Sequence, residues 1–124
     1  MRSDKRPVFL HLWQIQLPLT GWISILHRLT GLLLFLFLPL PLYLWQRSLQ
    51  SEVDFVQVSQ WLAAWPLRVL LLLLIWWFAH HLFAGVRFLF IDLDRGVSLT
   101  PARRSAWAVL IAELLVLVLV GWSL

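Results

Sequence analysis

The chain has 124 residues, of which 61% are hydrophobic and only 13% charged. Soluble domains average about 45–50% apolar and about 25% charged residues, so a soluble enzyme and a disordered chain are both excluded. Ten Lys and Arg against six acids give a formal charge of +4, but they are scattered rather than gathered in a basic stripe, which speaks against nucleic acid as a partner.

A membrane-spanning helix needs about 20 mostly apolar residues. Residues 1–20 precede the first such run and read as a cytoplasmic or interfacial segment. Within it, Pro7 to Pro18 mix Val, Phe, Leu, Trp and Ile with His11, Gln14 and Gln16. The first span is expected from about Gly21 to Trp45, with Pro39 and Pro41 kinking it or ending it early. It is too long for a signal-peptide core, and no small-residue cleavage site follows it. The polar stretch Gln46 to Gln60 reads as the first loop. A second span runs from about Trp61 to Ile91. Asp92 to Arg104, with Gly96 and Pro101, reads as the second loop. A third span runs from about Ser105 to Leu124. The apolar runs are continuous rather than alternating, which excludes a barrel.

The expected fold is therefore all-α: a single membrane domain, an integral bundle of three transmembrane helices over residues 1–124. Arg2, Lys5 and Arg6 precede the first span, and Arg87, Arg95, Arg103 and Arg104 surround the second loop. The other side carries only Arg47 and, slightly inside the second span, Arg68. The positive-inside rule puts the N-terminus in the cytoplasm and the C-terminus in the periplasm. Six of the nine Trp residues lie near span ends, whereas Trp76 and Trp77 are expected to pack inside the bilayer.

Ionisable groups within the spans carry the chemical information, because a central charge costs roughly 2.5–3.5 kcal/mol on insertion scales. The candidates are His27, Arg28, His80, His81 and Glu113. Ser24 and Arg28 are four apart and share a helix face, which Gly21 and Gly31 extend. Arg28 lies ~10 Å into the span and His81 ~15–17 Å in from the same cytoplasmic side. One shared site on consecutive antiparallel helices is therefore possible. Imidazole is the usual axial ligand of haem iron, and a shallower arginine suits a propionate or a quinone head. A six-coordinate haem would then need its second axial ligand from another chain. The plainer readings are that Arg28 snorkels to the headgroups, that a histidine bonds a neighbouring helix, and that Glu113 makes a packing or partner contact. His80 and His81 point ~100° apart, so they cannot serve one ligand in the same way. The absence of cysteine excludes an iron–sulfur cluster held by this chain.

Two motifs are familiar. Arg6-Pro7, Leu17-Pro18-Leu19-Thr20 and Ser24-Ile25-Leu26-His27-Arg28-Leu29-Thr30-Gly31 resemble the cytochrome b membrane subunit of succinate dehydrogenase. His81-Leu82-Phe83-Ala84-Gly85-Val86-Arg87, followed by Asp92, resembles that family's histidine, three residues, Gly-Ile-Arg and later Asp. The resemblance implies a multi-pass protein of the bacterial inner membrane that anchors a flavoprotein and an iron–sulfur subunit, together with a second small membrane-anchor subunit. It implies haem b shared with that second subunit, ubiquinone as substrate, and FAD and iron–sulfur clusters only in the partners. By match, His81 is the haem ligand, Ser24 and Arg28 bind the quinone, and His27 and Arg28 lie near the haem propionates. The family spacing selects His81 over His80. Succinate chemistry would belong to the partners. The alternatives are a haem-free structural anchor of a related quinone oxidoreductase and a small membrane assembly component with no redox role. Two departures stand out: Phe88 occupies the place of a second histidine, and Phe9-Leu10 replaces Ser-Pro ahead of His11.

Overall fold

In the computed structural model, residues 15–123 are described, and they form five helices with no strand among them. The expectations for His11 and the chain before residue 15 lie outside the described residues. Helix α1 spans Leu19–Phe37 and α2 spans Pro39–Ser48. Only Leu38 separates them, and its backbone stays right-handed helical (φ −52°, ψ −38°). Pro39 and Pro41 have no N–H to offer the carbonyls of Phe35 and Phe37, so the ladder breaks there while the chain keeps its direction. Helix α3 spans Glu52–Ala63, α4 spans Trp65–Asp92 and α5 spans Leu99–Ser123. Three helical stretches are long and apolar enough to cross a membrane: Leu19–Ser48, Trp65–Asp92 and Leu99–Ser123.

Three boundaries differ from the sequence reading. The second span, expected from about Trp61, begins at Trp65, because Trp61 belongs to α3 and the backbone at Ala64 is extended (φ −68°, ψ 134°). The polar stretch expected as a loop is largely α3. Ser51 caps it, accepting from the Asp54 N–H at 3.0 Å, and Glu52 and Asp54 favour its first turn. Polarity there marks an exposed helix with one buried residue, Val58, rather than an absence of helix. Arg47 of α2 holds α3 through Gln57 Oε1 and Asp54 Oδ1, both at 3.0 Å. The third span starts six residues earlier than expected because Pro101 falls within the first turn of α5, where its missing N–H is no loss. The turn before it is made by Asp94 (φ 55°) and Gly96 (φ 76°). Left-handed backbone is easily tolerated by these two residue types.

Helix α4 is the middle member: α1 packs along one of its sides and α5 along another, while α1 and α5 touch each other less. The buried centre draws one layer from each, Ile23, Ala84, Ala106 and Val109. Trp77, expected inside, meets Phe37 edge-on at 5.3 Å. Most large apolar side chains face outward, as lipid or partner contact requires. Replacing Ser51 by Ala removes the α3 cap and should weaken that helix by ~1 kcal/mol. Hydrogen exchange should speed up at amides 52–55 and stay unchanged in α4; equal exchange in both proteins would show that the cap does not hold α3.

Candidate haem and quinone site

The packing of α1 against α4 is built around two imidazoles. His27 and His81 stack with ring centroids 4.2 Å apart and planes 7° from parallel. Each is given room by a glycine of the opposite helix. A Cβ on Gly31 would lie 2.8 Å from His81 Cε1, and a Cβ on Gly85 would lie 3.3 Å from His27 Nε2. The glycines thus let two helices approach with a ring lodged at each. Gly85, in the motif that follows His81, is the seat of His27, and Gly31 is the seat of His81.

His81 Nδ1 donates to the His27 carbonyl at 3.1 Å. A carbonyl only accepts, so Nδ1 carries a proton; in the neutral ring the lone pair is then on Nε2. Among the described residues Nε2 has no hydrogen-bond partner. This is the arrangement by which proteins orient a metal-ligating histidine: one ring nitrogen bonded to backbone, the other left as the donor to the metal. The His27 carbonyl is shared with Thr30, whose buried hydroxyl lies 3.1 Å from it and 2.8 Å from the Leu26 carbonyl. Phe88, at the place of a second family histidine, sets its ring edge-on to His27 at 5.2 Å. An apolar ring there packs His27 where an imidazole would have offered another polar atom.

Of the four residues to which the family resemblance gives a site role, the structure brings His27 and His81 together. Ser24 is half-buried on α1, one turn from Arg28. Arg28 is exposed on this chain and makes no hydrogen bond among the described residues. His80 turns away from all of them. It is fully buried, with Nδ1 2.6 Å from Glu113 Oε2 of α5.

The matches to known proteins fall on the same chain. Residues 2–120 match the family described as succinate dehydrogenase/fumarate reductase transmembrane subunit. The chain belongs to this family. It is 35% identical over 121 residues to the succinate dehydrogenase cytochrome b556 subunit of Coxiella burnetii, covering 96% of each chain. The protein of the same description from Rickettsia prowazekii is 26% identical over 116 residues, covering 94% of this chain and 90% of that one. Its Paracoccus denitrificans counterpart is 29% identical over 119 residues, with 96% and 92% covered. As a family member with three such apolar helices, the chain is a multi-pass protein of the bacterial inner membrane and part of an oxidoreductase complex.

Two contacts of this transmembrane subunit join α4 to α5. Glu113, expected as a packing or partner contact, is met by His80 of the same chain, which agrees with the plainer reading of a histidine that bonds a neighbouring helix. Arg87, read as a topology signal and a motif residue, is buried and donates from Nε to Ser105 Oγ at 2.9 Å and from Nη2 to the Ala102 carbonyl at 3.3 Å. The sequence signal for these contacts was present, because His80, Ala84 and Arg87 recur at helical spacing and mark one face of α4.

The glycine seats make a graded prediction. Gly31→Ala places a methyl at 2.8 Å from His81 Cε1 and must displace the ring. It should destabilise by about 1–3 kcal/mol, as overpacking does. Gly85→Ala, at 3.3 Å from His27 Nε2, should cost less. Thermal unfolding of the purified complex measures both, and a Gly85 variant worse than the Gly31 variant would contradict the seating described.

Proposed function

We propose that this chain is the membrane-anchor cytochrome b subunit of succinate dehydrogenase, supplying one axial ligand of haem b and part of the ubiquinone-reduction site. The observation that carries the reading is the His81 ring: its Nδ1–H is committed to the His27 carbonyl, its Nε2 is left as a lone pair, and Gly31 opens the space in which it sits. This arrangement suits a ligand histidine; His80 also leaves its Nε2 unpartnered, and the family spacing His81 to Gly85-Val86-Arg87 is what selects His81. The residues therefore fit a haem, with His81 as ligand and His27 and Arg28 as the positive or donor groups for its propionates. The second axial ligand would come from a second small membrane subunit. Bound there, haem b supplies a one-electron centre within the membrane.

Quinone reduction adds two electrons and two protons, and negative charge gathers on the carbonyl oxygens as electrons arrive. Ser24 Oγ–H and the Arg28 guanidinium are donors that stabilise that charge, more strongly in a low-dielectric site than in water. They sit in the first third of the Leu19–Ser48 span, counted from its Leu19 end. With the N-terminus cytoplasmic, as the basic residues imply, the protons would come from cytoplasmic water. The chain has no cysteine for a cluster, so electrons must be delivered by partners. A flavoprotein that oxidises succinate and an iron–sulfur subunit fill that role, with ubiquinone as acceptor.

Two variants separate the roles. His81→Leu, purified with its partners, should lose the b-type signal in a dithionite-reduced minus oxidised spectrum while the complex still assembles. An unchanged spectrum would remove His81 as ligand and leave a haem-free anchor as the better description. Arg28→Leu should lower quinone reduction by about a hundredfold, the scale on which loss of one donor to a developing oxyanion acts. Succinate oxidation with a soluble dye should persist in that variant, and normal quinone turnover would sink the assignment.

A further inference from the structure

Helix α4 is apolar on almost every side, so no apolar stripe fixes its rotation about its own axis. Within lipid there is no hydrophobic drive to choose one facing over another; packing and hydrogen bonds decide. Two adjacent faces of α4 carry its polar side chains. One holds His81, Gly85 and Phe88 and meets α1. The other holds His80, Ala84 and Arg87 and meets α5 through Glu113 and Ser105. His80 has no exposed surface, and its Nδ1 lies 2.6 Å from Glu113 Oε2. Its other nitrogen, Nε2, is buried without a partner. The bond to Glu113 is thus the one polar contact of this side chain among the described residues.

We propose that His80 and Glu113 are positioning residues that fix the rotation of α4 and thereby aim His81. The inference rests on the reading of His81 as the haem ligand. Neighbouring residues on a helix diverge by ~100°, so tying His80 to α5 leaves His81 one possible direction, toward α1. A rotation of ~20° would carry a ring ~6 Å from the axis by ~2 Å, enough to break a hydrogen bond of normal length. The bond at 2.6 Å between His80 and Glu113, seven residues from the Arg87–Ser105 bond on the same face, resists that rotation at two levels of the membrane. Neither residue touches the haem or the quinone in this proposal; both act through the backbone of α4.

The test compares Glu113→Leu with Glu113→Gln in the purified complex. A glutamine carbonyl still accepts from His80 Nδ1–H, whereas leucine offers nothing. The expected result for Glu113→Leu is about tenfold weaker haem retention, with a shifted low-spin haem resonance and new carbon monoxide reactivity of the reduced haem. Glu113→Gln should match the natural protein in all three. A Glu113→Leu complex with natural haem content, resonance and no carbon monoxide reactivity would overturn the proposal. So would a glutamine variant that behaves like leucine, since charge rather than the bond would then matter. If Glu113→Leu fails to assemble because it strands a buried imidazole, the double variant His80→Leu/Glu113→Leu removes both partners and reads the same signals. Shifted signals there support the proposal, and natural ones overturn it. A natural complex without haem would instead defeat the assignment of His81 itself.

Discussion

The contact between α1 and α4 depends on a reciprocal exchange in which each helix gives a glycine to the other's histidine. Gly31 receives His81 and Gly85 receives His27, and the rings stack in the space so made. The exchange brings the His27 carbonyl within 3.1 Å of His81 Nδ1. A single backbone carbonyl therefore fixes the tautomer of the candidate ligand. Helical carbonyls normally accept from the N–H four residues on, but they have two lone pairs, so the His27 carbonyl can take a side-chain donor as well. Thr30 Oγ1 also lies 3.1 Å from it, but closer, at 2.8 Å, to the Leu26 carbonyl.

The same logic extends to α5 with different chemistry. Inside hydrocarbon a polar side chain without a partner is expensive, and the structure answers by pairing across helices. His80 takes Glu113, and Arg87 takes Ser105 and the Ala102 carbonyl. The His80–Glu113 contact lies in the middle of α4 and α5, whereas Arg87 lies near the end of α4, five residues from Asp92.

Much of this was legible in the sequence, for reasons that differ by residue. The three spans followed from length and apolarity, because lipid allows few alternatives to a helix. Residues His27 and His81 were legible as candidates because polar groups stand out against an apolar background. Their partners were harder to see. Glu113 lies 33 residues from His80, and only the packing of α5 on α4 brings them together. The seats of the two histidines were half legible: Gly31 extended the polar face of α1 and Gly85 followed His81 in its motif, but which ring each receives depends on the rotation of both helices. Helix α3 was missed because composition was weighed above capping, although Ser51 and Asp54 spell a helix start.

Histidine 27 and Arg28 pose the same geometric problem as His80 and His81, and α1 solves it in the same way. Adjacent residues on a helix diverge by ~100°, so one can face the bundle while the next faces out. The ring of His27 goes inward to stack on His81; Arg28 goes outward and is left without a partner among the described residues. Ser24 lies one turn before Arg28 and half-buried, at the border between the two directions. An arginine facing lipid nine residues into α1 is poorly placed unless something polar meets it there. Among the described residues the inward face of this turn is satisfied by His81 and the outward face, at Arg28, is not, while α5 packs on another side of α4.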